Sequence, residues 1–335
     1  MIDSIELLAA ALVGTLTAYA LLGGADYGGG LWDLLASGRT ADRQRATIAN
    51  AIGPVWEANH VWLIVAIVIL FTGFPRAFAA VSTFLHVPLL FVLMGIVLRG
   101  SAFVFRAYGP DDPRHVRFWG RVFAIASTAT PLFLGVIVGA MTEGRVPDNT
   151  RGSFTAVYIS PWLTPFAVSV GLFALALFGY LAAVYLTLEA HDADERAAFR
   201  ARALISGALV GLLAGSVLLL AGPDVRHGLI ASPWAFPLHL ATGSSAVAAF
   251  VFLARERYAR ARLAAASQVT LILWGWALTQ YPYALRPHLT LAAAAAPANV
   301  QVMLLQVLGA GALILVPSLL YLFRIFGPRG YQPRR

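Results

Sequence analysis

Nine stretches of this chain are apolar for long enough to cross a membrane, and that pattern limits its possible folds more than any other feature. They cover approximately residues 5–24, 54–71, 77–98, 119–141, 162–188, 204–221, 236–254, 267–285 and 301–324. A hydrocarbon core of roughly 30 Å takes about 20 helical residues to cross. Inside it the backbone must satisfy its own polar groups, which favours helices. The second stretch is short: it opens at Gly53-Pro54, where proline suits a first helical turn, and closes at Gly73-Phe74-Pro75. The expectation is an all-α integral membrane protein, with residues 1–335 forming a single transmembrane domain. Composition supports this. Hydrophobic residues make up 59% and charged residues 12%, against about 25% charged in an average soluble domain. Such a chain has too little polar surface to cover a soluble core, and too much apolar content for disorder. Cysteine is absent, so disulfide scaffolds, zinc fingers, iron–sulfur clusters and thiol catalysis are excluded.

The formal net charge is +8, and all 24 basic residues are arginine. They lie between apolar runs, not along one continuous face, so nucleic-acid binding is not expected. Their alternation sets a topology instead. Counting Arg121 and Arg324 at the run ends, the loops after runs one, three, five and seven, together with the C-terminal tail, carry 19 of the 24, and the other side carries 5. The positive-inside rule then puts the N-terminus outside and the C-terminus in the cytoplasm. No basic segment precedes the first run, so no cleavable signal peptide is expected. Trp32, Trp119, Trp162 and Trp234 fall near run ends, where an interfacial belt would put them. The charged segment Glu189–Arg196 reads as a solvated helix end, and the arginines around Arg255–Arg262 as an anchor to anionic lipid.

Ionisable residues inside a membrane are functional candidates by default. Here they are Asp26, Glu57, His60, His86 and His239. Asp26 sits in Gly23-Gly24-Ala25-Asp26-Tyr27-Gly28-Gly29-Gly30, at the expected inner end of the first helix. It reads equally as a turn aspartate paired with Arg39, Arg43 or Arg45, or as one station of a proton route. Glu57 opens the second helix, where the helix dipole favours an acid. His60 is one turn further along the same face, and Trp56, Asn59 and Trp62 flank the pair. Two acids starting from the same side can take up protons, although structural ion pairs give the same pattern. A haem held between two histidines needs both at one depth. His60, His86 and His239 are expected at different depths, so packed or hydrogen-bonded histidines are the expectation.

Several longer stretches carry a resemblance. Gly53–Ile64, followed by Leu70–Pro75, resembles the signature of subunit II of cytochrome bd-type quinol oxidases. In the same order, Gly24–Gly30, Arg99–Arg106, Trp274–Tyr283 and Pro317–Phe323 are similar to further stretches of that family. The resemblance implies nine transmembrane helices arranged as two four-helix bundles plus one peripheral helix. It implies a homologous haem-bearing subunit I as partner, with haems b and d held there and none bound by this chain. A small accessory subunit and membrane lipids are further expected partners, and the bacterial inner membrane is the expected location. The implied reaction oxidises membrane quinol and reduces dioxygen to water, with protons drawn from the cytoplasm. Asp26 then matches the second acid of the family's Asp-Gly-Phe-Asp motif, and Glu57 the acid after the motif tryptophan. Gly23 and Ala25 depart from that motif, which removes its first acid. The rival expectation is a stand-alone proton-coupled transporter, which would need interrupted helices in corresponding halves.

Overall fold

The computed structural model describes residues 3–38, 40–52, 56–110 and 112–326. Gly53, Pro54 and Val55 lie outside the described residues, as do the side chains of residues 56–58, 107, 323 and 326. The chain runs through α1 (Ser4–Leu35), α2 (Ala41–Ile52), α3 (Trp56–Gly73), α4 (Pro75–Phe84), α5 (His86–Tyr108) and α6 (Pro113–Glu143). It continues through α7 (Phe154–Tyr158), α8 (Pro165–Glu189), α9 (Ala193–Leu220), α10 (Pro223–Ala231), α11 (Ala235–Ala254) and α12 (Tyr258–Gln280). A small antiparallel hairpin, β1 (Tyr283–Leu285) with β2 (Leu289–Thr290), then leads to α13 (Leu291–Ala294) and α14 (Ala298–Phe326). Among the described residues, 7 helices are long and apolar enough to cross a membrane, or up to 8 if the bent pair α3–α4 forms one span.

Local chemistry sets many of the helix ends. Asp112 and Thr164 accept backbone N–H bonds from Arg114 and Ala167, each just ahead of a proline at the first helical position. Gly144 ends α6 at φ 83°, in the left-handed region glycine favours. Asp192 caps α9 through the N–H of Glu195, and Glu195 accepts in return from the N–H of His191. Glu195 is buried by this exchange, so the expected solvated end at Glu189–Arg196 is in part a packed corner.

The first run was expected to stop near residue 24, but α1 continues to Leu35. Its 32 residues span about 48 Å, more than a hydrocarbon core requires. The glycines after residue 22 do not break the helix; they let it press against its neighbours. A methyl group on Gly28 would lie 2.0 Å from the carbonyl oxygen of Phe178 on α8, and one on Gly30 would lie 2.2 Å from Cβ of Ser127 on α6. Trp32 is buried in this seam and donates from its indole to the carbonyl of Gly179 at 2.8 Å. It and Trp162, also buried, are therefore core residues and not members of an interfacial belt.

The third run also differs from its expected form. The stretch at 77–98 is divided at Leu85 between α4 and α5, and α3 meets α4 at a bend of 113° around Phe74. Proline at the start of α4 withholds an N–H from the ladder there. The carbonyl of Gly73 is satisfied instead by the N–H of Ala296 at 2.9 Å. The eighth run, expected at 267–285, is helical over Tyr258–Gln280 and then becomes the hairpin.

Helices α1, α6 and α8 form the centre. They pack on one another, while α5 lies on α6, α9 on α8, and α11 on α12. In α8, 67% of the most apolar window is buried, against 6% in α14, which makes α14 peripheral. The larger core gathers Tyr27, Trp32, Phe123, Phe178, Tyr180 and Phe199 between α1, α6, α8 and α9. A second core, around Leu8, Ile69, Phe74, Leu85 and Trp162, closes the opposite end.

The seam is open to a direct test. Gly28→Ala is expected to destabilise the protein by about 1–3 kcal/mol, because backbone must move. Gly14→Ala, with nothing within 4 Å of the added methyl, is expected to be neutral or stabilising by up to about 1 kcal/mol. Thermal unfolding in detergent reads the difference; equal melting of the two variants would contradict the close approach.

Candidate functional site

Asp26 is the polar centre of the larger core. The helical spacing of α1 stacks Tyr19 and Asp26 about two turns apart on one face, with Tyr27 beside them. Asp26 is buried, and its Oδ2 accepts a short hydrogen bond from the amide of Asn59 on α3. The same amide lies 3.4 Å from the carbonyl oxygen of Leu22. Asn59 Oδ1 is buried without a hydrogen-bond partner among the described residues. The expected pairing of Asp26 with Arg43 or Arg45 does not form: Arg43 meets Asp192 at 2.8 Å, and Arg45 meets Asp33 and Asp42. Arg39 lies outside the described residues.

Aromatic rings and one cation complete the site. The Tyr19 hydroxyl donates to that of Tyr27 at 3.1 Å. His60 is half-buried, with its ring centre 6.1 Å from those of both tyrosines. Arg99 comes in from α5. It is the largest fully buried side chain of the described residues, at 1% exposure. Its Nε donates to Ser127 Oγ at 3.2 Å, and its guanidinium lies 4.8 Å from the Tyr27 ring centre and 5.3 Å from that of Phe123. Burying a charge at membrane depth costs about 2.5–3.5 kcal/mol on insertion scales, and both rings offset part of that through their negative faces.

The other expected residues divide. Trp62 is half-buried and packs against the larger core. Glu57 and Trp56 belong to the first turn of α3, one helical turn or so before His60, but their side chains lie outside the described residues. Asn59 serves Asp26 directly, where it had been expected only to flank Glu57. The three histidines of interest occupy separate places. His60 is among the tyrosines, His86 packs 4.9 Å from the Tyr158 ring, and His239 bonds the Ala235 carbonyl at 2.6 Å beside an open groove. No group of three or more His, Cys, Asp or Glu residues that could hold a metal ion is found among the described residues.

Arg99, Tyr19, Tyr27 and Ser127 were not singled out from sequence. Arg99 ends an apolar run and counts there as one more inner-loop arginine; only the continuation of α5 to Tyr108 draws it inside. Below the site stands a second ionic centre, also unforeseen. Asp33 is buried on α1 and meets Arg45 at 3.3 Å and Arg106 at 3.2 Å. It ties α1 to α2 and α5 at the end of the molecule where Arg43–Asp192 and Arg200–Glu256 also pair.

Comparison with known proteins decides the family. The model of the family described as cytochrome bd terminal oxidase subunit II matches residues 5–326. The chain belongs to that family. Cytochrome bd ubiquinol oxidase subunit 2 of Bacillus subtilis is 28% identical over 195 residues, covering 57% of each chain. Cytochrome bd-I ubiquinol oxidase subunit 2 of Escherichia coli K12 is 30% identical over 181 residues, 53% of this chain and 47% of its own. The matched region thus spans about half the length of these relatives. A putative cytochrome bd menaquinol oxidase subunit II of B. subtilis is 27% identical over 206 residues, 60% of this chain and 58% of that one. In fold, the chain is similar to a bd oxidase chain from Geobacillus thermodenitrificans, with a TM-score of 0.81, 23% identity, and coverage of 98% of this chain and 100% of that one.

Asp33→Asn is expected to lower stability by about 2–4 kcal/mol, since it strands two cations beside a buried amide. The same change at Asp42, the exposed partner of Arg45, should cost less than about 1 kcal/mol. Denaturation of both variants in detergent measures this, and a silent Asp33→Asn would remove the clamp.

Proposed function

We propose that this chain is the subunit II of a membrane quinol oxidase, and that it carries protons from the cytoplasmic side toward a haem-bearing subunit I. The observation that carries this reading is Asp26: a carboxyl group buried within the central helices, hydrogen-bonded to a neutral amide, in a chain of this family. In the overall reaction a membrane quinol is oxidised to quinone, its electrons reduce dioxygen to water, and its own protons leave on the outer side. Water formation consumes protons from the other side, and these are what the chain supplies.

The steps assigned to this chain are transfers of protons only. Glu57, in the first turn of α3, takes a proton from the inner aqueous side, and Asp26 receives it on a carboxylate oxygen. Asn59 orients that carboxylate, and His60, with the hydroxyls of Tyr19 and Tyr27, supplies polar groups in the same pocket. Trp62 packs against the larger core near the start of α3, and Trp56 is assigned to the same end of that helix. Haem chemistry belongs to subunit I in this reading. The separation of His60, His86 and His239 supports the expectation that this chain ligates none.

The arginine distribution supports an outer N-terminus and a cytoplasmic C-terminus in the bacterial inner membrane. The ion pairs of Asp33, Asp192 and Glu256, gathered at the arginine-rich end, agree with it. Nine crossings are reached if α3–α4 is one broken span and α12, at 23 residues, is another. The shallow burial of α14 supports its reading as the helix peripheral to two four-helix bundles. Exposed apolar residues such as Leu212, Leu313 and Ile314 suit contact with lipid. The names of the relatives divide between ubiquinol and menaquinol, so the substrate class here is a membrane quinol. The transporter reading is disfavoured by the family and by the presence of one sharply broken span among the described residues, not a matched pair.

Purification through this chain from native membrane is expected to bring a haem-absorbing partner that consumes oxygen with added quinol. In that complex, Asp26→Asn and Glu57→Gln should each slow turnover about tenfold or more while leaving the haem spectrum in place. Unchanged turnover in both variants would remove the proton role, and a colourless preparation active as a carrier would remove the oxidase reading itself.

A further inference from the structure

Arg99 has a role that hydrogen bonding and packing leave unexplained. A guanidinium does not release its proton in a protein, so its charge is permanent. Four arginines at the inner end of the molecule touch a carboxylate directly: Arg45 and Arg106 hold Asp33, Arg43 holds Asp192, and Arg200 holds Glu256. Arg99, more deeply buried than any of these, forms no ion pair among the described residues. It is held by neutral groups, the Ser127 hydroxyl and the faces of Tyr27 and Phe123. Its Nη2 is buried with no hydrogen-bond partner among the described residues. Tyr27, whose ring it faces, follows Asp26 directly on α1, and Tyr27 in turn meets the Tyr19 hydroxyl and the His60 ring.

We propose that Arg99 is the fixed counter-charge of Asp26, a positioning residue that drives each proton onward from that carboxyl group. The proposal rests on the proton-route reading above. The geometry separates two jobs. Asn59, a neutral donor, holds the carboxylate oxygen in place, while the cation lies over the ring of the neighbouring Tyr27, 4.8 Å from its centre. Direct contact would lock Asp26 as a carboxylate and close the route. Separation leaves it open, because an interior of low dielectric carries the field beyond contact distance. With Asp26 ionised, the two charges balance. When a proton arrives on its oxygen, the pocket holds one uncompensated positive charge, which favours departure of that proton to the next acceptor. The carboxylate is thereby regenerated. Arg99 keeps all of its protons throughout, and no electron moves.

The test is a cycle of variants in the complex purified from native membrane, read as quinol-driven oxygen consumption with the haem spectrum as the measure of assembly. Arg99→Met is expected to slow turnover about tenfold, and Arg99→Lys, which keeps the charge, to stay within about threefold of the unaltered complex. In an Asp26→Asn background, Arg99→Met should add less than about twofold, because the group it acts through is gone. Multiplying effects in the double variant, or a fully active Arg99→Met complex, would overturn the proposal. So would an Arg99→Lys complex as slow as Arg99→Met. Should Arg99→Met fail to assemble, Ser127→Ala, which frees only the Nε anchor, takes its place in the cycle. A slowdown that disappears in the Asp26→Asn background supports the proposal, and one that persists or is absent opposes it. Normal turnover of Asp26→Asn alone defeats the route reading, which separates that failure from this one.

Discussion

The close approach of α1 to α6 and α8 governs the rest of the molecule. Where Gly28 and Gly30 lie, the backbone of one helix touches the backbone or Cβ atoms of the others. Without side chains at those points, van der Waals contact between helices is tight enough to exclude lipid and water. That contact turns Tyr19, Asp26 and Tyr27 inward and gives Asn59, His60 and Arg99 a surface to meet. The site is a product of the seam, since none of its polar groups would tolerate the bilayer alone. The same seam explains why Trp32 is core: its indole N–H meets a carbonyl on α8 and helps fix the rotation of α1.

Electrostatics divide along the length of α1. At one level a carboxylate, Asp33, is clasped by two guanidinium groups, and the arrangement is structural. About two turns away a carboxylate and a guanidinium share a pocket without touching, and the carboxylate bonds a neutral amide. Contact ion pairs fix protonation, whereas separated charges leave it adjustable. In the reading proposed above, one helix carries an anchor and an adjustable site in sequence.

Much of this was legible from residues alone, and the failures share a cause. The apolar runs located most of the long helices, since crossing length is written directly into hydropathy. Asp26 and Asn59 could be named because they are polar inside apolar stretches. That they bond each other required the packing of α1 against α3, which no local pattern encodes. Arg99 was hidden because an arginine at the edge of an apolar run looks like a topology marker. Gly23 to Gly30 suggested a helix end, because glycine is a poor helix former in isolation. Tertiary contact reversed that preference. Proline at residue 75 did signal a break, but not that α4 would turn away by more than a right angle.

The corner at Phe74 joins parts of the chain made at very different times. Gly73 receives its hydrogen bond from Ala296, Arg76 reaches the carbonyl of Ala293 at 3.0 Å, and Ser4 bonds Gln301 at 2.5 Å. A ribosome releasing this protein has therefore threaded most of its helices into the bilayer before the first hairpin can be latched. Until the stretch from Ala293 to Gln301 is made, the carbonyl of Gly73, the guanidinium of Arg76 and the hydroxyl of Ser4 lack these partners.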